Sequence, residues 1–156
     1  MDIRNQLQKD MKALLEKMGF QFLNSPLIEE DDGHFMISVF VDEPKSLIGE
    51  RGMNLRALQQ VFRMLISRKY DSDIRVDIDV NGYKKKRQEF IREMAFAARR
   101  KALAATIAVQ LEPMSAYDRR VIHATLADFS DVQTQSAGEG RSRRVVVSPV
   151  RQDETA

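Results

Sequence analysis

The sequence predicts an α+β chain built from two small fused domains. Three observations predict it. Apolar periodicities in the first 82 residues run in the order α-β-β-α-α-β, and those after residue 82 run α-β-α-β-β. The tripeptide Asn81-Gly82-Tyr83 stands between them as a joint. Charge changes sign there: residues 1–82 carry 11 Lys/Arg and 14 Asp/Glu, a net −3, whereas residues 83–156 carry 14 and 9, a net +5.

Each element has its own signal. Ile3, Leu7, Met11, Leu14, Leu15 and Met18 recur at helical spacing, and Gly19 stops that helix. A strand is expected over residues 20–29. The acidic turn Glu30-Asp31-Asp32-Gly33 then leads into a second strand over 35–41. A short helix over 43–48 opens with Pro44, which suits a first helical turn. A longer helix over 53–69 carries Leu55, Leu58, Val61, Phe62, Leu65 and Ile66. Strict alternation of Ile74, Val76, Ile78 and Val80 with Arg75, Asp77 and Asp79 predicts a strand. Beyond the joint come a helix over 84–105, a short strand over 108–111, a helix over 116–129 and strands over 132–136 and 144–148. The domains are therefore placed at 1–82 and 83–150, with 151–156 as a frayed tail.

Composition removes several function classes. Hydrophobic residues make up 43%, enough for a core, and charged residues 31%, as on a soluble surface. No apolar run approaches the ~20 residues of a membrane span, and the amphipathic N-terminus is not a secretory signal. Cysteine is absent, so disulfides, thiolate metal sites and cysteine nucleophiles are excluded; a reducing cytoplasm fits. There are two histidines, His34 and His123, too few for a histidine-rich metal site. The chain has no Walker-type phosphate loop. Asp77 and Asp79 alternate on one strand face, where they are either a Mg²⁺ pair or, on the simpler reading, solvated surface. A catalyst and a cofactor are not expected.

Three motifs carry the functional expectation. The first is Ile48-Gly49-Glu50-Arg51-Gly52 between two helices. Two glycines three apart let a ligand approach the backbone closely, and the next helix offers free N–H groups to a phosphate. Lys45, Arg51 and Arg56 supply nearby charge, whereas Glu50 repels a phosphate. The same turn also reads as a structural turn that binds weakly. Within an α-β-β-α-α-β order it resembles the clamp of a type II KH module. The second motif is Arg119-Arg120-Val121-Ile122-His123. Arg119 and His123 are one helical turn apart, so both can meet one phosphate. Alternatively, His123 fills a helix–sheet boundary. The third is a basic collection: Lys84, Lys85, Lys86, Arg87, Arg99, Arg100, Lys101, Arg141, Arg143 and Arg144. It reads either as phosphate contacts or as solvated helix and loop surface. The last three arginines flank a Gly-rich turn and are expected to close over a strand. Tyr83, Tyr117 and Phe129 are aromatic contacts or core packing.

Together these stretches resemble the Jag family of bacterial RNA-binding proteins, also called KhpB or EloR. The similarity runs from about Val39 to Pro149. It is carried by Leu47 to Gln59, by Val80-Asn81-Gly82-Tyr83, by Leu111-Glu112-Pro113-Met114 with Arg119, Arg120 and His123, and by Arg143 to Val147. The resemblance implies a KH clamp at Gly49–Gly52 followed by an Arg-x-x-x-His (R-three-H) domain with Arg119 and His123 as its signature pair. It further implies single-stranded RNA or DNA as ligand, an influence on cell elongation and envelope synthesis, a small KH partner protein, and association with a membrane-protein insertase without insertion of this chain itself. Family members commonly carry an N-terminal Jag domain and linker, absent from this sequence, and a basic residue where Glu50 stands. Glu50 and the acidic first half motivate an alternative: an adaptor or KH dimerisation partner that binds RNA weakly.

Overall fold

The computed structural model describes residues 2–70 and 74–150. The tail expected over 151–156 lies outside them. The chain divides into two compact units, Met1–Lys84 and Lys85–Ala156.

The first unit contains α1 (Ile3–Lys17), β1 (Leu27–Asp31), β2 (His34–Val39), α2 (Pro44–Ile48), a 3₁₀ turn (Glu50–Gly52), α3 (Met53–Tyr70) and β3 (Arg75–Val80). Asp2 caps α1 by accepting from the Arg4 N–H at 3.1 Å. The hairpin between β1 and β2 turns on Asp32 and Gly33, both at positive φ (47° and 73°). That is the backbone a two-residue hairpin requires. β2 pairs antiparallel with β1 and parallel with β3. The register matches Phe35 with Val76, Ile37 with Ile78 and Val39 with Val80, so one sheet face is continuously apolar. Leu7, Met11 and Leu15 of α1 and Leu55, Leu58, Phe62 and Ile66 of α3 bury against it.

The first strand differs from the expectation over 20–29. Regular pairing begins at Leu27, and Phe22 contributes only an isolated bridge to Val41. Pro26 explains the gap, because a proline has no N–H for a ladder.

The second unit contains α4 (Tyr83–Ala105), β4 (Val109–Gln110), α5 (Ala116–Leu126), β5 (Val132–Ala137), a 3₁₀ turn (Gly140–Ser142) and β6 (Arg144–Pro149). Its sheet is antiparallel in the order β4-β6-β5. Ile91, Ala95, Ala98 and Ala102 form the buried stripe of α4, and meet Ile122, Leu126, Val132, Val145 and Val147. The alanines, with no side chain beyond Cβ, leave space for close packing. Helix α5 ends at Leu126 rather than at Phe129. The chain turns there, and Phe129 lies edge-on to Phe96 with ring centres 6.1 Å apart.

Two of the basic residues are structural. Arg87 bonds to Asp118 at 2.9 Å, with only 18% and 4% of the two side chains exposed. Arg99 grips Asp131 with both arms of its fork, and its guanidinium lies 4.1 Å from the Phe129 ring centre. Removing one partner of a buried pair strands the other charge in a poor solvent. Asp118→Ala should therefore destabilise the chain by roughly 3–5 kcal/mol in urea unfolding followed by circular dichroism. Asp131→Ala, which frees a more exposed arginine, should cost much less.

Candidate nucleic-acid interface

The glycine turn of the first unit is shaped by its own backbone. Gly49 has φ 71° and ψ 178°, a region nearly closed to other residues. A Cβ there would stand 2.5 Å from the Asn54 side chain. Asn54 in turn donates to the Ser46 carbonyl at 2.7 Å, so it braces the turn across its mouth. Gly52 has φ 77°, and a Cβ on it would lie 2.9 Å from the Tyr83 ring. Tyr83 is thus packing against the turn. Arg51 adopts the left-handed backbone at φ 52°.

Side chains divide around this turn. Ile48 packs against the core. Lys45 is exposed. Arg56 donates to the Arg51 carbonyl at 3.3 Å, which holds its guanidinium beside the turn. Glu50 points outward with 83% of its side chain exposed, and its carboxylate lies 4.0 Å from Arg51. The acid therefore stands in solvent on the turn, next to a cation that offsets part of its charge.

The acidic strand face is in use. Asp77 accepts from Gln59 at 2.6 Å and from Arg63 at 2.9 Å, and bonds to His34 at 2.9 Å. Lys84 is 3.8 Å away. Burial opposes ionisation of Asp77, but Lys84, His34 and Arg63 outweigh it and hold the carboxyl below its ordinary value. Asp79 accepts from the Lys84 N–H at 3.0 Å and anchors the start of α4. Lys84 is accordingly engaged by the first unit, whereas Lys85 is exposed. Among the described residues, no group of three or more His, Asp or Glu could hold a metal ion, and no helix is long and apolar enough to cross a membrane.

In the second unit, Ser115 caps α5 by accepting from the Asp118 N–H at 3.1 Å. One helical turn further, Arg119 and His123 share a side of the helix. His123 is half-buried. Its Nδ1 lies 2.7 Å from the Thr134 hydroxyl and its Nε2 3.0 Å from the Ser136 hydroxyl. Both ring nitrogens are thus committed to β5. Thr134 and Ser136 stand opposite Val147 and Val145 in register, so their hydroxyls face the helices. Burial, and then the nearby Arg119 cation, push His123 below its ordinary value of 6.5, so it is neutral near pH 7. Arg119 is different: among the described residues its guanidinium has no hydrogen-bond or ion-pair partner. The helix–sheet reading of His123 thus describes its contacts, and Arg119 is the member of the pair left open to a ligand.

The remaining arginines do not converge on that pair. Arg120 turns the other way and lines an open groove between α4 and α5. Arg144 faces the sheet side opposite Val145, away from His123, and donates to the Ser142 carbonyl at 3.1 Å. The single hook expected of Arg141, Arg143 and Arg144 is therefore corrected: Arg141 and Arg143 are exposed on the loop, and strand alternation sends Arg144 to the outer face. The sequence reading left out Thr134 and Ser136. Their signal was polar residues at the inward positions of β5.

Residues 89–149 match the R-three-H domain family, which makes this an R-three-H-domain protein. The chain is 32% identical over 124 residues to the RNA-binding protein KhpB of Clostridium symbiosum, covering 80% of this chain and 56% of that protein. It is 34% identical over 104 residues to the RNA-binding protein KhpB of Bacillus subtilis, covering 65% and 50%. Against KhpB of Lactiplantibacillus plantarum it is 31% identical over 123 residues, covering 78% and 38%. The chain thus spans about half, or less, of the length of these relatives. It contains an R-three-H domain, and over most of its length it is similar to proteins named KhpB.

The neutral state of His123 has a pH consequence. The unfolded chain takes up this proton near 6.5, whereas the folded chain resists it to lower pH. The contribution to stability is therefore complete above about pH 6.5 and is lost as pH falls below it toward the depressed folded value. Melting temperatures should drop across that interval. His123→Gln, which keeps a donor and an acceptor without titrating, should flatten the drop. An identical drop in the variant would remove His123 from the cause.

Proposed function

We propose that this chain is a non-catalytic, single-stranded nucleic-acid-binding protein of the cytoplasm, and that its ligand is RNA. The observation that supports this best is the Arg119 guanidinium on the surface of the R-three-H unit, unpartnered among the described residues, beside a neutral His123 and within the net-positive half of the chain. Arginine meets a phosphate with two parallel bonds. Relatives named as RNA-binding proteins point the same way. Exposed Lys85, Arg120, Arg141 and Arg143 add sequence-independent attraction. In the first unit the phosphate backbone crosses Gly49 to Gly52, with Lys45 and Arg56 as its cations and Glu50 as the element that weakens the clamp.

A second reading has its own support. Met53, Val61 and Leu65 on α3 are 60%, 43% and 47% exposed and form an apolar stripe. Such a stripe suits a protein partner, in keeping with the small KH partner that the family resemblance implies. The proposed insertase association and the effects on cell elongation and envelope synthesis would act through partners of this kind.

A salt titration tests the RNA reading. A labelled oligouridylate, followed by fluorescence anisotropy, should bind with a log–log salt slope of about 0.7 per phosphate contact. Arg119→Gln should weaken binding about tenfold and flatten that slope by about one contact. Glu50→Lys should tighten binding and steepen the slope. Affinity unchanged in Arg119→Gln would remove the R-three-H unit from the mechanism.

A further inference from the structure

The groove between α4 and α5 has the chemistry of a nucleotide site. It measures about 590 Å³, inside the range of roughly 300–1,000 Å³ typical of small-ligand sites. Gln88, Arg92 and Phe96 recur every fourth residue along α4 and build one wall. Tyr117, Arg120 and Ala124 build part of the other wall, from α5. Among the described residues, no carboxylate lines it. Glu89 and Glu93 occupy the neighbouring stripe of α4, and Asp118 is turned inward onto Arg87.

The two arginines have no ion-pair or hydrogen-bond partner for their side chains among the described residues. The aromatic side chains differ in exposure. Phe96 is fixed by its edge contact with Phe129, at 83° between ring planes. Tyr117 is 49% exposed at the rim, an aromatic surface open to a ligand. Fixed and exposed rings beside paired cations, with an amide at the end, match a base joined to phosphates: bases stack on rings and arginines take the anionic links. An acidic peptide would satisfy the cations but would leave Tyr117 and Gln88 without a specific role.

We propose that this groove, on the side of α5 turned away from His123, holds one nucleotide of the bound strand: Tyr117 and Phe96 contact its base, and Arg92 and Arg120 its flanking phosphates. The inference rests on the single-strand reading above and extends it around α5. The signature arginine then meets one part of the strand, and the groove meets the next.

The test uses the whole chain and a single-stranded oligouridylate of about twelve nucleotides, within the usual site sizes of such proteins. The double variant Arg92→Gln with Tyr117→Ala should bind about tenfold more weakly, with unchanged circular dichroism. Oligomers substituted with thiouridine should photocrosslink to the peptide containing Tyr117 or to that containing Phe96. Arg119→Gln is measured in parallel. If Arg119→Gln weakens binding and the double variant does not, the groove is overturned and the single-strand reading survives. If neither weakens it, both fall. Crosslinks confined to other peptides overturn the groove. So does a double variant that keeps RNA affinity but loses binding to an acidic peptide.

Discussion

The imidazole of His123 is bonded through both ring nitrogens to the hydroxyls of Thr134 and Ser136, which ties the helix that carries Arg119 to β5. Helix α5 makes its apolar contact through Ile122 and Leu126 alone among its fully buried apolar residues. The buried Arg87–Asp118 pair and the partly buried Val121 hold the helix as well, and two polar bonds from the His123 ring tie it to β5. Burial, and then the nearby Arg119 cation, keep the ring neutral. A neutral ring does not compete with Arg119 for an anion. In the function proposed above, the histidine helps to fix the helix and the arginine supplies the charge.

The first unit uses a different device for a similar end. Its turn is held by Asn54, which bonds back to Ser46 and fills the space where a Cβ on Gly49 would be. Tyr83 covers Gly52 in the same way. Both glycines are thus required by close neighbours as well as by positive φ. The open side of the turn carries Glu50 in solvent, so geometry suited to a phosphate is combined with charge that is not. The second unit reverses the balance: its described residues carry twelve Lys/Arg against seven Asp/Glu, and two of those acids are bound by Arg87 and Arg99. For the ligand proposed above, electrostatics favours the second unit for long-range attraction.

Much of this was legible in the sequence, for reasons that differ by residue. Ile74 to Val80 alternates strictly because one sheet face is buried and the other is polar, and such a pattern has one reading. The glycine turn was legible because its flanking helices were. Pro26 should have limited the first strand, but the apolar run from Phe20 to Phe22 and beyond masked its effect. Helix α5 was read too long because Phe129 continues the apolar period while the chain has already turned. The tie between His123 and β5 was not legible. It depends on the register of β5 against β6, which pairs Thr134 with Val147 and Ser136 with Val145. Likewise, spacing could not separate Arg87 and Arg99 from the free cations, since Asp118 and Asp131 lie about thirty residues away in sequence.

Side-chain nitrogen spectra of the labelled chain, recorded while an oligouridylate is added, reach the division of labour within the signature pair most directly. The Nε–H resonance of Arg119 should shift and the His123 ring nitrogens should keep the pattern of a neutral, hydrogen-bonded imidazole. A protonated His123 ring in the bound state, with Arg119 unmoved, would contradict it.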